Sequence, residues 1–401
     1  MELVKNYVAP IILVFVLPLV LFKILYSTTP FKNIKPNKFS ISTFTIILLY
    51  GFYSLKFTDK KFTGPENVDG VTPIYAANGF HFWIVSTILT CLVCNTFPNF
   101  PKRFNENFIP FLVTCNIFGL FFVLYLYFRD KNEYFEMEKD KDSSALFKFY
   151  RGLKFHPRIF GVDIKQLTNC RFGMIIWQII ILIFGFYSHY TYGFNTAILV
   201  TIILQTIYIG KFFFWETGYF NTLDITLDRA GYYICWGCLV FIPSFYTLST
   251  YFLANNPSNL STKACLGIFA LGLVAILLNY LVDYQKEKFK ANNDTNIWGK
   301  KATYLNTKYF KNGVEKDGKL LTSGFWGMSR HMNYTFEIIL SLTWSLVALR
   351  LGYKPFLYVF FIIVLLVHRI YRDEDKCKAK YGKYWDEYCK IVKWRLIPKI
   401  Y

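Results

Sequence analysis

The sequence predicts an all-α fold, a polytopic integral membrane bundle of helices. Of the 401 residues, 54% are hydrophobic and 20% are aromatic, whereas soluble domains contain roughly 45–50% apolar residues. The apolar residues also occur in long runs of about 20, the length that a helix needs to cross a bilayer. A single soluble domain could not bury so much apolar surface, so the composition excludes that class.

Ten runs have a length compatible with a transmembrane helix, and the second, ninth and tenth are the shortest. They lie near residues 8–27, 40–57, 80–98, 107–128, 171–190, 193–214, 231–254, 263–283, 334–350 and 354–370. We therefore expect about ten spans, within a range of roughly eight to eleven. The segment 58–79 between two of them is rich in Gly, Pro, Asn and Asp, which predicts a loop with several turns.

The net charge of +19 raises the question of nucleic-acid binding. The basic residues lie in loops between apolar runs, where Lys and Arg flank spans on the cytosolic side. The loop 284–333 and the tail 369–401 are both strongly basic, and two predicted spans separate them. This pattern predicts a cytosolic C-terminus and gives no support to a nucleic-acid partner.

The nine cysteines give no metal-binding or disulfide pattern. Two CxxC pairs, Cys91 with Cys94 and Cys235 with Cys238, lie in apolar runs without a second pair or a histidine cluster. We interpret these cysteines as small packing residues. The sequence contains neither HExxH nor a P-loop, so it predicts no metal site and no phosphoryl transfer.

Two lysines follow directly on the eighth predicted span. If that helix continues, Lys286 and Lys290 share one face at i, i+4 spacing. Two cations on one face suit a phosphate group, which lysine binds as a point charge. The alternative is juxtamembrane charge that fixes topology or meets anionic lipid.

The segment LLTSGFWGMSRHMNY, residues 320–334, brings polar and aromatic groups to the entrance of the ninth predicted span. Its two glycines allow close approach of a ligand to the backbone, Trp326 and Tyr334 offer flat faces, and Asn333 offers a donor and an acceptor. An interfacial aromatic belt also explains the two rings. His331 is interpreted as a hydrogen-bonded positioning residue.

The polar tail begins at His368 and continues the tenth span. Arg369, Asp373 and Cys377 lie on one helical stripe, and a guanidinium beside a carboxylate suits a pyrophosphate and ribose hydroxyls. The alternative is a basic flank whose side chains extend to the membrane surface. Because Tyr381, Trp385 and Tyr388 follow, we expect the tail to pack against the rest of the protein. These polar segments predict a pocket for a large anionic cofactor in the C-terminal half.

Polar groups inside apolar runs indicate function because charge is costly there. The candidates are Tyr208 and Tyr246, either of which could donate a proton, and Glu216 and Asp224, which could orient the donor. Core packing is the alternative interpretation of each tyrosine.

Three segments resemble the sterol reductase family, which includes delta-14 and delta-7 reductases, the sterol-like domain of the lamin B receptor and fungal delta-24(28) enzymes. They are LLTSGFWGMSRHMNY, the tail HRIYRDEDKCKAKYGKYWDEYC, and LDITLDRAGYYICWGCLVFIPSFYTLSTYF. The segments GVTPIYAANG (70–79) and HPRIFG (156–161) are most similar to the 7-dehydrocholesterol reductase branch. The resemblance implies one membrane-embedded domain, 1–401, with divergent spans in 1–57 and an NADPH-binding part in 263–401.

The resemblance also implies the site residues. The cofactor contacts of the family fall on Lys286, Lys290, Leu321, Trp326, Asn333, Tyr334, Arg369, Asp373, Cys377, Lys378, Ala379, Lys380, Tyr381 and Tyr388. Tyr208 corresponds to a tyrosine of the sterol pocket. Lys290 stands where arginine is usual, Cys238 where an acidic residue is expected, and Met332 where many members have proline; the change at Cys238 bears on the substrate pocket.

The implied activity is the NADPH-dependent reduction of a ring double bond in a sterol, by protonation of the alkene and hydride delivery. The delta-7 bond is the expected target and the delta-14 bond the alternative. The sterol would come from the bilayer of the endoplasmic reticulum, with membrane lipids as the other partners and no obligate protein partner. Two other classes stay open: a catalytically silent sterol-binding protein and a methyltransferase of the isoprenylcysteine type.

Overall fold

A computed structural model describes residues 4–28, 33–67, 70–133, 143–311 and 314–401. Within these ranges, nine helices are long and apolar enough to cross a membrane. They are Asn6–Ser27, Lys38–Lys56, Gly79–Thr96, Phe108–Asp130, Gln166–Tyr192, Thr196–Phe214, Tyr232–Asn255, Thr262–Ala291 and Lys354–Tyr381. The predicted polytopic helical fold is confirmed.

The ninth predicted span, 334–350, is shorter than expected. The helix there is Met332–Leu346, with 15 residues, so it extends about 22 Å along its axis, less than the roughly 30 Å of a bilayer core. Two 3₁₀ turns, Leu349–Leu351 and Lys354–Phe356, lead into the helix Leu357–Tyr381. The sequence could not show this end because the apolar residues continue through the turns.

Short helices connect the spans. They are Asn99–Glu106, Lys131–Glu133, Ala145–Arg151, Glu216–Tyr219, Leu223–Thr226, Phe325–Met328 and Lys383–Ile391. The last two lie in the polar segments that the sequence singled out.

In the part of the chain that the structure describes, four two-stranded antiparallel sheets add to the helices, and the sequence predicted none of them. They are Lys61–Thr63 with Ile74–Ala76, Arg158–Ile159 with Val162–Asp163, Asn296–Ile297 with Lys300–Lys301, and Tyr304–Lys311 with Val314–Leu321. The first falls in the predicted turn-rich loop 58–79. The last was missed because its mixed Lys, Asp and Glu content gives no clear apolar alternation.

The chain divides into two compact units, Met1–Pro257 and Ser258–Tyr401. The boundary lies five residues before 263, where the cofactor-binding part is predicted to begin. All fourteen predicted cofactor contacts fall in the second unit, and the three predicted catalytic residues fall in the first. The prediction of one domain stays a prediction.

The second unit begins with its longest helix, Thr262–Ala291, of 30 residues. The Ser261 hydroxyl accepts from the backbone N–H of Ala264 at 3.3 Å and caps the first turn. A helix of this length extends about 45 Å, which exceeds the bilayer core. Its last turns therefore carry Lys286 and Lys290 beyond the apolar part, as the sequence predicted.

The core of this unit joins that helix to the polar segments. One apolar cluster contains Val282, Phe289, Ile297, Ala302, Leu321, Trp326, Met332 and Phe336. The long helix, the hairpin end and the entrance of the helix Met332–Leu346 therefore pack on the same side chains. This packing fixes the position of the polar residues beside them.

Candidate functional site

Lys286 and Trp326 lie against each other. The Lys286 ammonium is 4.0 Å from the centroid of the Trp326 ring, a cation–π contact. The indole N–H donates to the carbonyl of Val282 at 2.9 Å, which fixes the ring against the long helix. The structure therefore brings together the Lys286 cation and the Trp326 ring, which were predicted as site residues from separate segments.

Gly324 allows the backbone to approach the long helix closely. It has a φ of +65°, a region that favours glycine, and a Cβ at this position would overlap the Gln285 side chain. Gln285 accepts from the backbone N–H of Phe325 at 2.9 Å. The sequence predicted close approach of a ligand to this glycine, which stays a prediction; the group that the structure places against Gly324 is the Gln285 side chain.

Asn333 joins the start of the short helix to the long one. Its side-chain amide donates to Asp283 Oδ1 at 3.2 Å, and its backbone carbonyl accepts from the side-chain amide of Asn279 at 2.9 Å. Asn279 also donates to Glu337 Oε2 at 3.4 Å. Asp283, Asn279 and Glu337 were not singled out from the sequence, although they lie one or more helical turns from residues that were.

Tyr334 and Asp373 form a hydrogen bond across 39 positions of the chain. The Tyr334 hydroxyl donates to Asp373 Oδ2 at 2.9 Å. Since Tyr334 begins one helix and Asp373 lies in the polar end of the helix Leu357–Tyr381, both helix ends lie on the same side of this unit. This arrangement agrees with the prediction that the loop 284–333 and the tail share one side.

A buried carboxylate holds the C-terminal residues in place. Glu374 accepts from Arg330 Nε at 2.8 Å and from Arg395 Nε at 3.0 Å. The Arg330 guanidinium also donates to the carbonyls of Val392 and Lys393 at 2.6 and 3.1 Å. The predicted packing of the tail is therefore observed, although the sequence did not indicate this pairing.

A hydrogen bond from Tyr388 links the helix Lys383–Ile391 to Trp326. The Tyr388 hydroxyl donates to the Trp326 carbonyl at 3.3 Å, and burial raises the pKa of the Tyr388 phenol. Cys377 and Tyr381 pack on the apolar cluster that Tyr388 forms with Trp385 and Val392. Three predicted contact residues thus surround one cluster.

The remaining predicted contacts lie around this centre. Leu321 is buried in the core, and Arg369 is half-buried one turn before Asp373. Lys380 lies over the ring of Tyr309 at 4.1 Å, and Lys378 forms an exposed ion pair with Asp386 at 3.2 Å. Lys290 and Ala379 are exposed.

In the first unit, two predicted catalytic tyrosines contact the same tryptophan. Trp177 lies 5.7 Å from Tyr208 and 5.1 Å from Tyr246 between ring centroids. The Trp177 indole donates to Gln205 Oε1 at 2.7 Å, and Gln205 donates to Thr250 Oγ1 at 2.9 Å. The two phenols, far apart in sequence, therefore belong to one aromatic and amide cluster.

Glu216 is engaged elsewhere in the first unit. It is buried, and both of its carboxylate oxygens accept from the guanidinium of Arg171, which is also fully buried. Arg171 donates in addition to Asn78 Oδ1 at 2.7 Å. The catalytic role of Glu216 stays a prediction. The ion pair with Arg171 gives its carboxylate a structural partner that the sequence did not indicate.

A second polar cluster of the first unit was not predicted as a site. The Tyr75 hydroxyl lies 3.1 Å from His156 Nδ1, which lies 3.8 Å from Asp163 Oδ2. Burial, together with the nearby Lys165 and Arg158, lowers the pKa of His156 to about 3. A signal was present for Tyr75 and His156, because they lie in the two segments of the delta-7 resemblance.

Lys165 and Asp224 meet at the edge of that cluster. The Lys165 ammonium donates to the carbonyls of Ile225 and Asp228 at 2.7 and 2.8 Å, and to that of Asp224 at 3.3 Å. Burial lowers the pKa of Lys165 to about 8. Asp224 therefore lies in a short helix, Leu223–Thr226, that a buried lysine anchors. Its predicted role in orienting a proton donor stays a prediction.

Fold and site together define a multi-pass membrane protein whose C-terminal unit gathers cations, aromatic faces and carboxylates at the ends of its helices. Residues 15–401 match the model of the Ergosterol biosynthesis ERG4/ERG24 family. The chain belongs to this family, which confirms the resemblance.

The chain is similar to several proteins named as sterol reductases over most of its length. It is 37% identical to a 7-dehydrocholesterol reductase of Arabidopsis thaliana over 378 residues, 92% of this chain and 87% of that protein. It is 35% identical to a 7-dehydrocholesterol reductase of Danio rerio over 84% of this chain and 72% of that protein. A delta(14)-sterol reductase of Schizosaccharomyces pombe is 31% identical over 84% of this chain and 78% of that protein.

Proposed function

We propose that the protein is an NADPH-dependent sterol reductase that reduces a ring double bond, the delta-7 bond of a 7-dehydrocholesterol-like sterol. The observation that supports it most is the similarity to 7-dehydrocholesterol reductases across more than four fifths of the chain. The delta-14 bond is the second candidate, because delta(14)-sterol reductases are 31% and 32% identical to the chain.

The groups of the second unit fit a reduced dinucleotide. Lys286 supplies a cation next to the flat face of Trp326, and Asp373 offers carboxylate oxygens beside the Tyr334 hydroxyl. Ammonium groups suit phosphates, and carboxylates suit ribose hydroxyls. We assign the cofactor to these residues, with Lys290, Arg369 and the run Cys377 to Tyr381 at its margin; NADPH, when bound, supplies a hydride.

The chain itself must supply a proton. Tyr208 is the proposed donor, and Tyr246 is the alternative, since both phenols flank Trp177 within the apolar spans. A positioned acid contributes about 10²- to 10⁴-fold to such a rate. The aromatic surroundings exclude water from a carbocation and offer their π-faces to it.

The proposal includes the setting of the reaction. The sterol would enter from the bilayer, because transfer from lipid avoids exposing a rigid apolar molecule to water. The basic loop and tail support a cytosolic orientation of the cofactor-binding side by the positive-inside rule. We propose the endoplasmic-reticulum membrane as its location, and membrane lipids as its surroundings.

The test is NADPH oxidation by the purified full-length protein with a delta-7 sterol, a delta-14 sterol or no sterol. We expect oxidation with the delta-7 substrate and a product that lacks that bond by mass spectrometry. Tyr208→Phe should lower turnover by about 10²-fold or more while the dissociation constant for NADPH is unchanged. Reduction of the delta-14 sterol alone would reassign the bond, and tight sterol binding without any oxidation would favour the silent sterol-binding class.

Two substitutions test the cofactor residues. Lys286→Ala removes the cation on Trp326, and Asp373→Ala removes the acceptor of Tyr334. Loss of one charged contact costs about 1.5–3 kcal/mol, so the Michaelis constant for NADPH should rise about 10- to 150-fold. Lys263→Ala, at the opposite end of the same helix, is the control. Unchanged Michaelis constants in folded Lys286 and Asp373 variants would exclude this site.

A further inference from the structure

His331 lies at the centre of the second unit's polar residues but has no role in the proposed function. It immediately precedes the helix Met332–Leu346 and is only 8% exposed. Its backbone N–H donates to the carbonyl of Arg395 at 2.9 Å, so the C-terminal segment fixes its position. This backbone hydrogen bond fixes the point from which the imidazole extends.

The His331 imidazole stacks on a neighbouring ring, and its buried Nε2 has no hydrogen-bonding partner among the described residues. Its ring stacks on that of Tyr334, with 5.3 Å between centroids and 13° between planes. Nε2 is buried and has no hydrogen-bonding partner among the described residues. Buried polar atoms are nearly always satisfied, so an orphaned nitrogen beside candidate ligand-binding residues points to a partner other than the described residues.

The charges around the ring determine what that partner can be. Burial, followed by the nearby Lys286, Arg330 and Arg395, lowers the pKa of His331 to about 3. The imidazole is thus neutral at pH 7 and acts as a hydrogen-bonding group rather than as a cation. The same three cations make the surroundings favourable for a ligand that carries negative charge and oxygen atoms.

We propose that His331 is a further cofactor-binding residue, whose Nε2 forms a hydrogen bond with an oxygen of the bound dinucleotide. This inference rests on the proposed NADPH-dependent function. It explains why a polar ring stacks on Tyr334, whose hydroxyl contacts Asp373: the stack fixes the plane of the imidazole and therefore the direction of Nε2. A neutral donor or acceptor at this point adds selectivity for a hydroxyl or phosphate oxygen without adding charge.

Two substitutions separate the nitrogen from the ring. His331→Phe keeps a flat ring for Tyr334 and removes both nitrogens, whereas His331→Gln removes the ring and keeps an amide group of similar reach. We expect the dissociation constant for NADPH, from fluorescence titration of the purified full-length protein, to rise about tenfold in His331→Phe. It should stay within about threefold of the unsubstituted protein in His331→Gln. His189→Phe, an exposed histidine of the first unit, is the control and should bind normally.

Each other result overturns the inference. Normal binding by His331→Phe with weak binding by His331→Gln would mean that only the stack on Tyr334 matters. Normal binding by both would mean that water satisfies Nε2. Thermal melting without cofactor shows which variants fold; if His331→Phe does not, a tenfold loss in folded His331→Gln contradicts the proposal and retained binding supports it. Failure of the unsubstituted protein to bind NADPH would instead refute the proposed function.

Discussion

Glu216→Gln is expected to destabilise the first unit by about 3–5 kcal/mol, because it leaves a buried guanidinium without its counter-charge. Arg171 is fully buried, and both of its terminal nitrogens donate to the carboxylate of Glu216. The neutral amide can accept one of these bonds but supplies no negative charge. The measurement is the free energy of unfolding in detergent micelles, or the melting temperature under the same conditions.

A double substitution distinguishes charge from shape at this position. Arg171→Met with Glu216→Leu removes both charges, and such replacements are often neutral or stabilising, so it should recover much of the loss. Asp59→Asn, which neutralises an exposed carboxylate, should change stability by less than about 0.5 kcal/mol. A Glu216→Gln protein as stable as the unsubstituted one, but inactive, would instead restore the catalytic interpretation of Glu216.

The sequence predicted the helical fold well because its signal is local. Runs of about 20 apolar residues identify spans one at a time, and nine of the ten predicted runs correspond to long helices among the described residues. The predicted span 334–350 extends past the end of the observed helix Met332–Leu346, because apolar residues continue into the turn Leu349–Leu351. The end of this helix is set by a change of backbone direction that hydropathy does not record.

The site was predicted as residues but not as pairs. Lys286, Trp326, Tyr334 and Asp373 were each singled out, because polar groups beside spans are unusual. Their contacts were not predicted, since Tyr334 and Asp373 are 39 positions apart and no local pattern specifies a partner. The helix periodicity gave only neighbours three or four positions away.

The missed residues show the same limit. Glu374 lies within a mixed run of charged residues, where nothing in the sequence distinguishes it from its neighbours. It is nevertheless buried between two arginines. Tyr75 and Asp163 lie in strands of only two or three residues, and His156 lies just before another, so no periodicity indicates their burial. The resemblance marked the segments that contain Tyr75 and His156, so comparison with relatives carried information that spacing alone did not.

Arg330→Ala is expected to destabilise the second unit by about 3–5 kcal/mol and to weaken NADPH binding, because its side chain joins three chain segments. Its guanidinium pairs with Glu374 and donates to the carbonyls of Val392 and Lys393. Removing it leaves a buried carboxylate with Arg395 as its remaining charged partner and breaks two bonds to the C-terminal segment. Unfolding free energy and the NADPH dissociation constant are the two measurements.

The control is Arg350→Ala, which removes an exposed guanidinium that donates to the carbonyl of Asn259 at 3.2 Å; we expect a change of less than about 0.5 kcal/mol. Arg330→Lys keeps the charge but not the forked geometry, and it should recover only part of the stability because one ammonium cannot reproduce the planar set of donors.

Proteolysis adds a local measurement, since release of residues 392–401 should make them accessible to a protease before the spans unfold. An Arg330→Ala protein with normal stability and a protected C-terminus would show that the backbone bonds from Arg330 and His331 to Trp394 and Arg395 hold the segment without the guanidinium.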